Sequence, residues 1–334
     1  MLEIRRREFI AGLGGAAASS AFWPRTMRAQ QATRTLIGYL SPGTPAGDAA
    51  SIAGFRKGLS EMGFAENRNV AIEFRWAQND LNRLPEMAAD LVRNRVVVIV
   101  AAGTAAPRAA KALTGTIPIV FSAANDPVQS GLVTSLNRPG GNVTGISTMS
   151  EELGPKRLGL LHQLLRRAER FALLKGSSRS QRERDQEIAD LRAAAMTIGA
   201  EIEAVYAGTN AEIDAAFASL VQKRTEALLV TPYFLFSNRR TQIVALAARY
   251  AVPVIYAGRV FPEAGGLMSY GPTPSDAPRQ LGIYAGRILK GEKPADLPVM
   301  RSTRFEFVIN LQAAKLLGIE VPPNLLALAD EVIE

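Results

Sequence analysis

The 334-residue chain has no cysteine, which excludes disulfides, thiol catalysis, thiolate metal sites and a lipid-modified N-terminal cysteine. It has one histidine, His162, so a site built on several imidazoles is excluded, and a Ser-His-Asp triad would have to use that residue. No apolar run reaches the ~18 residues that a mature membrane-spanning helix needs. The patterns G-x-S-x-G, H-E-x-x-H and G-x-x-x-x-G-K-[ST] do not occur, so hydrolase, zinc-protease and phosphate-loop chemistry have no support here. A strong charge excess is missing too. Lys+Arg 39 against Asp+Glu 31 gives +8, and the first 29 residues carry +3 of it, leaving +5. That residue of charge comes without a basic run interleaved with aromatics, and it reads as solvated surface, not as a nucleic-acid footprint.

What is present is an ordinary globular composition, 47% hydrophobic and 21% charged. The length predicts about two domains at roughly 150 residues each. The first thirty residues read separately as an address. A basic start, MLEIRRREF, is followed by an uncharged stretch over 10–23 rich in Gly and Ala, then Pro24, Arg25 and Ala29. This is the layout of an export signal, and Arg6-Arg7 before Phe9 and Ile10 resembles the twin-arginine type. The expected division is a signal over 1–29 and a soluble mature protein starting near Gln30. A membrane anchor or an unstructured arm is the competing reading. With no cysteine after the apolar stretch, a free periplasmic protein is expected, not a lipoprotein.

From Thr35 onward, short β-branched runs alternate with amphipathic stretches. Strands are predicted at 35–40, 70–74, 96–101 and 117–121, with helices at 48–62, 82–94 and 105–114 between them. In the helix at 48–62, Ile52, Phe55, Leu59 and Met62 recur every three or four residues, and Gly63 ends it. The run at 96–101 is apolar throughout, the signature of a strand buried on both faces. The rhythm restarts after 143–145, with helices at 151–165, 180–198, 211–221 and 238–250 and strands at 170–174, 201–206, 227–230 and 254–257. The Gly- and Asn-rich stretch 137–150 reads as a crossing between two lobes. Further on, a strand at 266–270, a helix at 276–289, a strand at 304–309 and a helix at 311–317 are expected, with two more crossings. The fold class is therefore α/β, two lobes, each a parallel sheet flanked by helices.

Ligands of such sheets bind beyond the carboxyl ends of the strands. The residues there are Ser41 and Thr44, then Gly103 and Thr104, then Ser122, Asn125 and Asp126. In the second half they are Thr231 and Tyr233, Tyr256 and Arg259, and Tyr270. Hydroxyls, small residues and tyrosines with one acid and one base suit reversible binding of a small polar or aromatic molecule. Thr104 is either a helix cap or a marker of free N–H groups that hold a carboxylate. Asp126 before Pro127 is either a turn residue or a partner for an ammonium. Arg259 is either a surface charge or a bidentate carboxylate clamp. The tyrosines are either core residues with a wet edge or cleft walls. His162, within a helical run, reads as packing.

Several segments together carry a resemblance. Gly38-Tyr39-Leu40-Ser41, then AGFRKGLSEMGFAENRNVAIEFRWAQND, then NDPVQSGLVTSLNRPGGNVTGIS, then GGLMSYGPTPSDAPRQLGIYAGRILKGEKPADLP and FEFVINLQAAKLLGIEVPPNLLALADEVIE appear in that order. Over 34–334 the chain resembles the periplasmic substrate-binding proteins of ATP-binding-cassette importers that include tryptophan- and tyrosine-binding members. The resemblance implies the type I periplasmic binding fold: lobes of 33–145 plus about 271–300 and of 146–270 plus about 301–334, three crossings, and a ligand in the cleft. It also implies a permease with a separate ATPase as partner; a monomer is the default expectation, with neither cofactor nor metal. Two departures stand out: Val97, where relatives usually carry Asp, and the polar stretch KGSSRSQRERD at 175–185. An aromatic or anionic guest is expected from Arg179, Arg259 and the tyrosines. An enzyme on the same fold, a ligand-sensing regulator and a sensor subunit for a membrane receptor are the rival functions.

Overall fold

The computed structural model describes residues 35–177, 188–273 and 277–334. The stretch read as an export signal, Arg179, and the first part of the helix expected at 180–198 lie outside the described residues. The chain starts with β1 (Thr35–Ser41), α1 (Ala49–Glu61), β2 (Val70–Trp76), α2 (Leu84–Arg93), β3 (Val98–Ala102), α3 (Ala105–Lys111) and β4 (Ile119–Ala123). These elements match the periodicity of the sequence to within a few residues. The apolar run does form a central strand, and all five residues of β3 are buried.

The next element departs from expectation. The Gly- and Thr-rich stretch 137–150 holds a strand, β5 (Val143–Ser147), buried along its whole length. It pairs in parallel with β4, Phe121 opposite Gly145. Gly145 is needed there because a Cβ would run into the backbone of Phe121, 2.6 Å from its amide nitrogen. The chain then continues through α4 (Gly154–Leu164), β6 (Arg170–Gly176), α5 (Ala189–Thr197), β7 (Glu201–Ala207), α6 (Asn210–Gln222) and β8 (Ala227–Val230). Two helices, α7 (Phe234–Asn238) and α8 (Arg240–Arg249), stand where one was expected from residue 238. They are followed by β9 (Val254–Tyr256), β10 (Met268–Pro272), α9 (Ala277–Leu289), β11 (Met300–Arg301), β12 (Phe305–Asn310), α10 (Leu311–Leu316), α11 (Pro323–Leu326) and β13 (Glu331–Ile333).

The strands form two sheets, ordered β11-β5-β4-β3-β1-β2 and β13-β12-β10-β9-β8-β6-β7. The first is parallel throughout. The second is parallel except where β10 meets β12, which runs the other way. The chain passes from one sheet to the other after β5, after β10 and after β11. Each sheet carries apolar side chains on both faces. Ile37, Phe55 and Leu281 pack on one face of the first, and Leu40, Leu91 and Phe121 on the other. On the second, Leu161, Phe171 and Ile309 oppose Leu174, Phe217 and Phe236. His162 sets its ring edge-on to Phe171 at 6.4 Å, a packing contact.

After β10 the chain returns to the first sheet and lays α9 against α1. Glycines make this contact close: a Cβ on Gly58 would lie 2.8 Å from the carbonyl carbon of Arg279, and one on Gly282 would lie 2.6 Å from the amide nitrogen of Leu59. Tyr284 then donates to the carbonyl of Pro298 at 2.7 Å.

Candidate functional site

A parallel sheet opens a crevice where neighbouring strands send their following helices to opposite faces. In the first sheet β1 and β3 are neighbours, α1 packs on one face and α3 on the other. The crevice is flanked by Ser41–Thr44 on one side and Gly103–Thr104 on the other. In the second sheet the corresponding pair is β6 and β8, whose following helices α5 and α7 also lie on opposite faces. Lys175, Gly176 and Ser177 flank it on one side, and Thr231, Pro232 and Tyr233 on the other. Contacts between α7 and the loops after β1, β2 and β3 bring the carboxyl edges of the two sheets face to face.

The β1 loop is held by a hydrogen-bond relay. Ser41 is fully buried, and its Oγ accepts from the Gly43 amide at 3.0 Å. Its hydroxyl also bonds to the carboxylate of Asp48, which accepts from Trp76 Nε1 at 3.1 Å. Asp48 is 3% exposed. Burial raises its pKa above the usual aspartate value, and the bonds from Ser41 and Trp76 oppose that rise. Thr44 Oγ1 accepts from the Gly47 amide at 3.1 Å, and the Gln78 and Asn79 amides donate to the carbonyls of Gly43 and Pro42. Gln78 and Asn79 both have positive φ, 56° and 66°, so a left-handed turn pins this loop to the end of β2.

On the next two strands, Gly103 has φ +76° and lies beneath the ring of Phe234. Thr104 makes no cap bond at the start of α3, and its Oγ1 instead donates to Asn125 Oδ1 at 3.4 Å. Ser122 is half-buried near the end of β4. Asp126 is a turn residue: its Oδ1 accepts from the amides of Val128 at 2.7 Å and Gln129 at 3.2 Å. That carboxylate also helps raise the pKa of Glu152, second to the latter's own burial.

In the second sheet, Thr231 donates its hydroxyl to the Leu174 carbonyl at 3.1 Å. The Tyr233 ring lies against Gly176, where a Cβ would come within 2.7 Å of it, and meets Phe236 edge-on at 5.0 Å. Tyr270 is half-buried, stacked on Phe305 at 6.3 Å with Lys156 Nζ 6.0 Å from its ring centre. Two expectations fail. Tyr256 is fully buried and stacked on Phe261 at 4.4 Å, so it belongs to the core and not to a cleft wall. Arg259 does not offer a free clamp: it binds Glu263 at 2.7 Å, Glu306 at 3.0 Å and Glu331 at 2.8 Å. Tyr256 ends β9 and Arg259 follows it, one strand beyond the β6–β8 crevice, which is why closeness to a strand end misled.

Three side chains that the structure puts here carry no signal in the sequence pattern. Phe234 and Asn238 of α7 reach the first sheet. Arg157 of α4 is 2% exposed and stitches two crossings together, donating to the Tyr270 carbonyl at 2.7 Å and to Ser150 Oγ at 2.9 Å. Burial pulls its pKa down to about 10, against the pull of Glu151. Lys175 pairs with the same Glu151 at 3.6 Å. A buried arginine before a run of leucines looks like any exposed helix charge in sequence, so only the unusual burial could have revealed it.

The profile of the ABC transporter substrate binding protein family matches residues 44–333. The tyrosine-binding protein of Clostridioides difficile is 28% identical over 267 residues, covering 80% of this chain and 76% of that one. A solved ABC domain in complex with L-Trp from Streptococcus pneumonia is 25% identical, covering 90% of this chain and all of that one, with TM-score 0.79. The ligand-free, open structure of a substrate binding protein with adhesive properties from Clostridium difficile is 29% identical, covering 90% and 99%, with TM-score 0.62. These relatives share the periplasmic binding fold, two parallel-dominated sheets flanked by helices.

Proposed function

The chain belongs to the ABC transporter substrate binding protein family, and from that premise we propose that it is the extracytoplasmic solute-binding component of an ABC-type importer. In this reading each lobe is one sheet with its helices, close to the expected 33–145 with about 271–300 and 146–270 with about 301–334, and the chain changes lobe after β5, after β10 and after β11. A small molecule enters between the facing strand ends, the lobes turn about the three crossings, and the closed form delivers the guest to a permease with a separate ATPase. The protein acts as a monomer in the periplasm after removal of the 1–29 signal. It forms no bond to the guest and uses no cofactor.

The observation that carries this reading is the opposition of two strand-end crevices across a passage that the chain bridges three times. The likeness to the L-Trp complex also exceeds that to the ligand-free open relative, although sequence identity runs the other way. That order fits a closed arrangement of this chain, in which α7 touches the first sheet.

An amino acid or another aromatic or anionic compound is the proposed guest. Two relatives are described with tyrosine or L-Trp. The β6–β8 crevice offers Tyr233 as an apolar wall and Lys175, paired with Glu151, as a cation. Burying one aromatic side chain of ~200 Å² contributes about 5 kcal/mol. Micromolar affinity requires about 8 kcal/mol, so polar contacts to the charged end of the guest must supply the rest. Titration calorimetry against a panel of amino acids and aromatic acids tests the reading. One-to-one heat with an aromatic member supports it; heat with neutral sugars alone contradicts it.

A further inference from the structure

The contact of α7 with the first sheet has a specific form. Phe234 sits in the β1–β3 crevice, over Gly103 and beside Pro42 and Gly43. A Cβ on Gly103 would come 2.5 Å from its ring, and one on Gly43 would come 3.3 Å from it. At the other end of α7, Asn238 donates from Nδ2 to Asn79 Oδ1 at 3.0 Å. The same amide lies so close to Gly47 that a Cβ there would overlap its Oδ1. Both contacts join residues far apart in sequence, α7 on the second sheet with loops of the first. Gly103 needs glycine for its positive φ as well, but Gly47 has no such φ and is exposed. Its lack of a side chain leaves room for Asn238, and for Thr44 Oγ1, 3.1 Å from where a Cβ would stand.

From this geometry we infer that Phe234 and Asn238 are positioning residues that set how readily the two lobes shut. They are a latch that holds part of the population closed before any guest arrives. The inference rests on the proposed motion of the lobes. It adds that affinity is set in part by contacts between the lobes themselves, because apparent affinity scales with the fraction of molecules already in the competent state. One interlobe hydrogen bond of ordinary strength shifts that fraction about five-fold.

The absence of native cysteine allows a direct test. Arg108→Cys on α3 and Arg192→Cys on α5, both at exposed positions, place one spin label on each lobe. Distances are then measured by pulsed electron resonance with no guest added. The labelled chain should show a closed population, and Gly47→Ala should move about five-fold of the closed-to-open ratio toward longer distances. Asn238→Ala removes the group that the new methyl strikes. The double variant should therefore match Asn238→Ala alone, not the sum of the two changes. An unchanged distribution in Gly47→Ala, or strict additivity in the double variant, overturns the latch. A single distance that stays fixed in every variant, and on adding L-tryptophan, overturns the moving-lobe reading along with it. Equal urea midpoints for all variants separate these outcomes from a folding defect.

Discussion

Gly58→Ala sets two effects of known sign against each other. Gly58 lies inside α1, where replacing glycine by alanine normally stabilises by about 1 kcal/mol through backbone entropy. Its missing side chain, however, faces α9. The added methyl carbon would sit 2.8 Å from the carbonyl carbon of Arg279 and 3.0 Å from the amide nitrogen of Ile283. Carbon atoms prefer separations of about 3.5–4.0 Å, and the carbonyl oxygen of Arg279 is closer still, so the helices must part by more than ~1 Å. The obstacle is backbone, which cannot rotate aside as a side chain can. Overpacking of this kind costs about 1–3 kcal/mol and sometimes more. Because the struck atoms are backbone, the cost should reach the upper end of that range, about 3 kcal/mol against a gain of about 1, for a net loss of about 2 kcal/mol, or roughly 5 °C in Tm. Gly159→Ala is the matched control. It lies in α4, and nothing stands within 4 Å of its added methyl. There propensity acts alone and should add about 0.5–1 kcal/mol. Urea unfolding followed by circular dichroism reads both. If Gly58→Ala is as stable as the parent chain, close α1–α9 contact is not what the glycines provide.

Other consequences are equally checkable. Tyr256→Phe removes a buried hydroxyl that has no hydrogen-bond partner among the described residues, and should raise stability by about 1 kcal/mol in the same assay. Arg157→Met strips two hydrogen bonds from the crossings and should cost about 3 kcal/mol, with Arg157→Lys recovering part of it. Arg259→Ala breaks three carboxylate contacts on the partly exposed edge and should lower stability by about 1 kcal/mol while guest affinity in calorimetry stays unchanged. Asp48 gives a pH signature. Its folded pKa lies above the unfolded one because burial disfavours the charge, so its contribution is fully present below the ordinary aspartate pKa and is lost as pH rises through the raised value. The stability of the parent relative to Asp48→Asn should therefore fall as pH rises above the ordinary aspartate range when urea midpoints are compared, and a constant gap would contradict the assignment.

The parallel architecture was legible because its strands are short, apolar and spaced by amphipathic helices. β3, VIVAA, announces burial on both faces by composition alone. β5 did not, because VTGIS looks like a loop until Gly145 is seen lying against the backbone of Phe121. α7 was hidden by its five residues, too few for a periodic signal. The antiparallel run of β12 beside β10 depends on the path of the chain between sheets, which local pattern does not encode. In the site, the strand ends were readable, and Ser41, Gly103, Thr104, Thr231 and Tyr233 do flank the two crevices. Strand order was not readable, and order is what separates these positions from Tyr256 and Arg259. Phe234 and Asn238 escaped notice for a related reason: each acts on residues more than a hundred positions away.

Native mass spectrometry of the full chain with a panel of aromatic and other amino acids addresses the central claim most directly. The account predicts a one-to-one complex with a single small molecule, and a released molecule of the same mass as the one supplied. A chain that takes up nothing from the panel, or returns a molecule of altered mass, would contradict it.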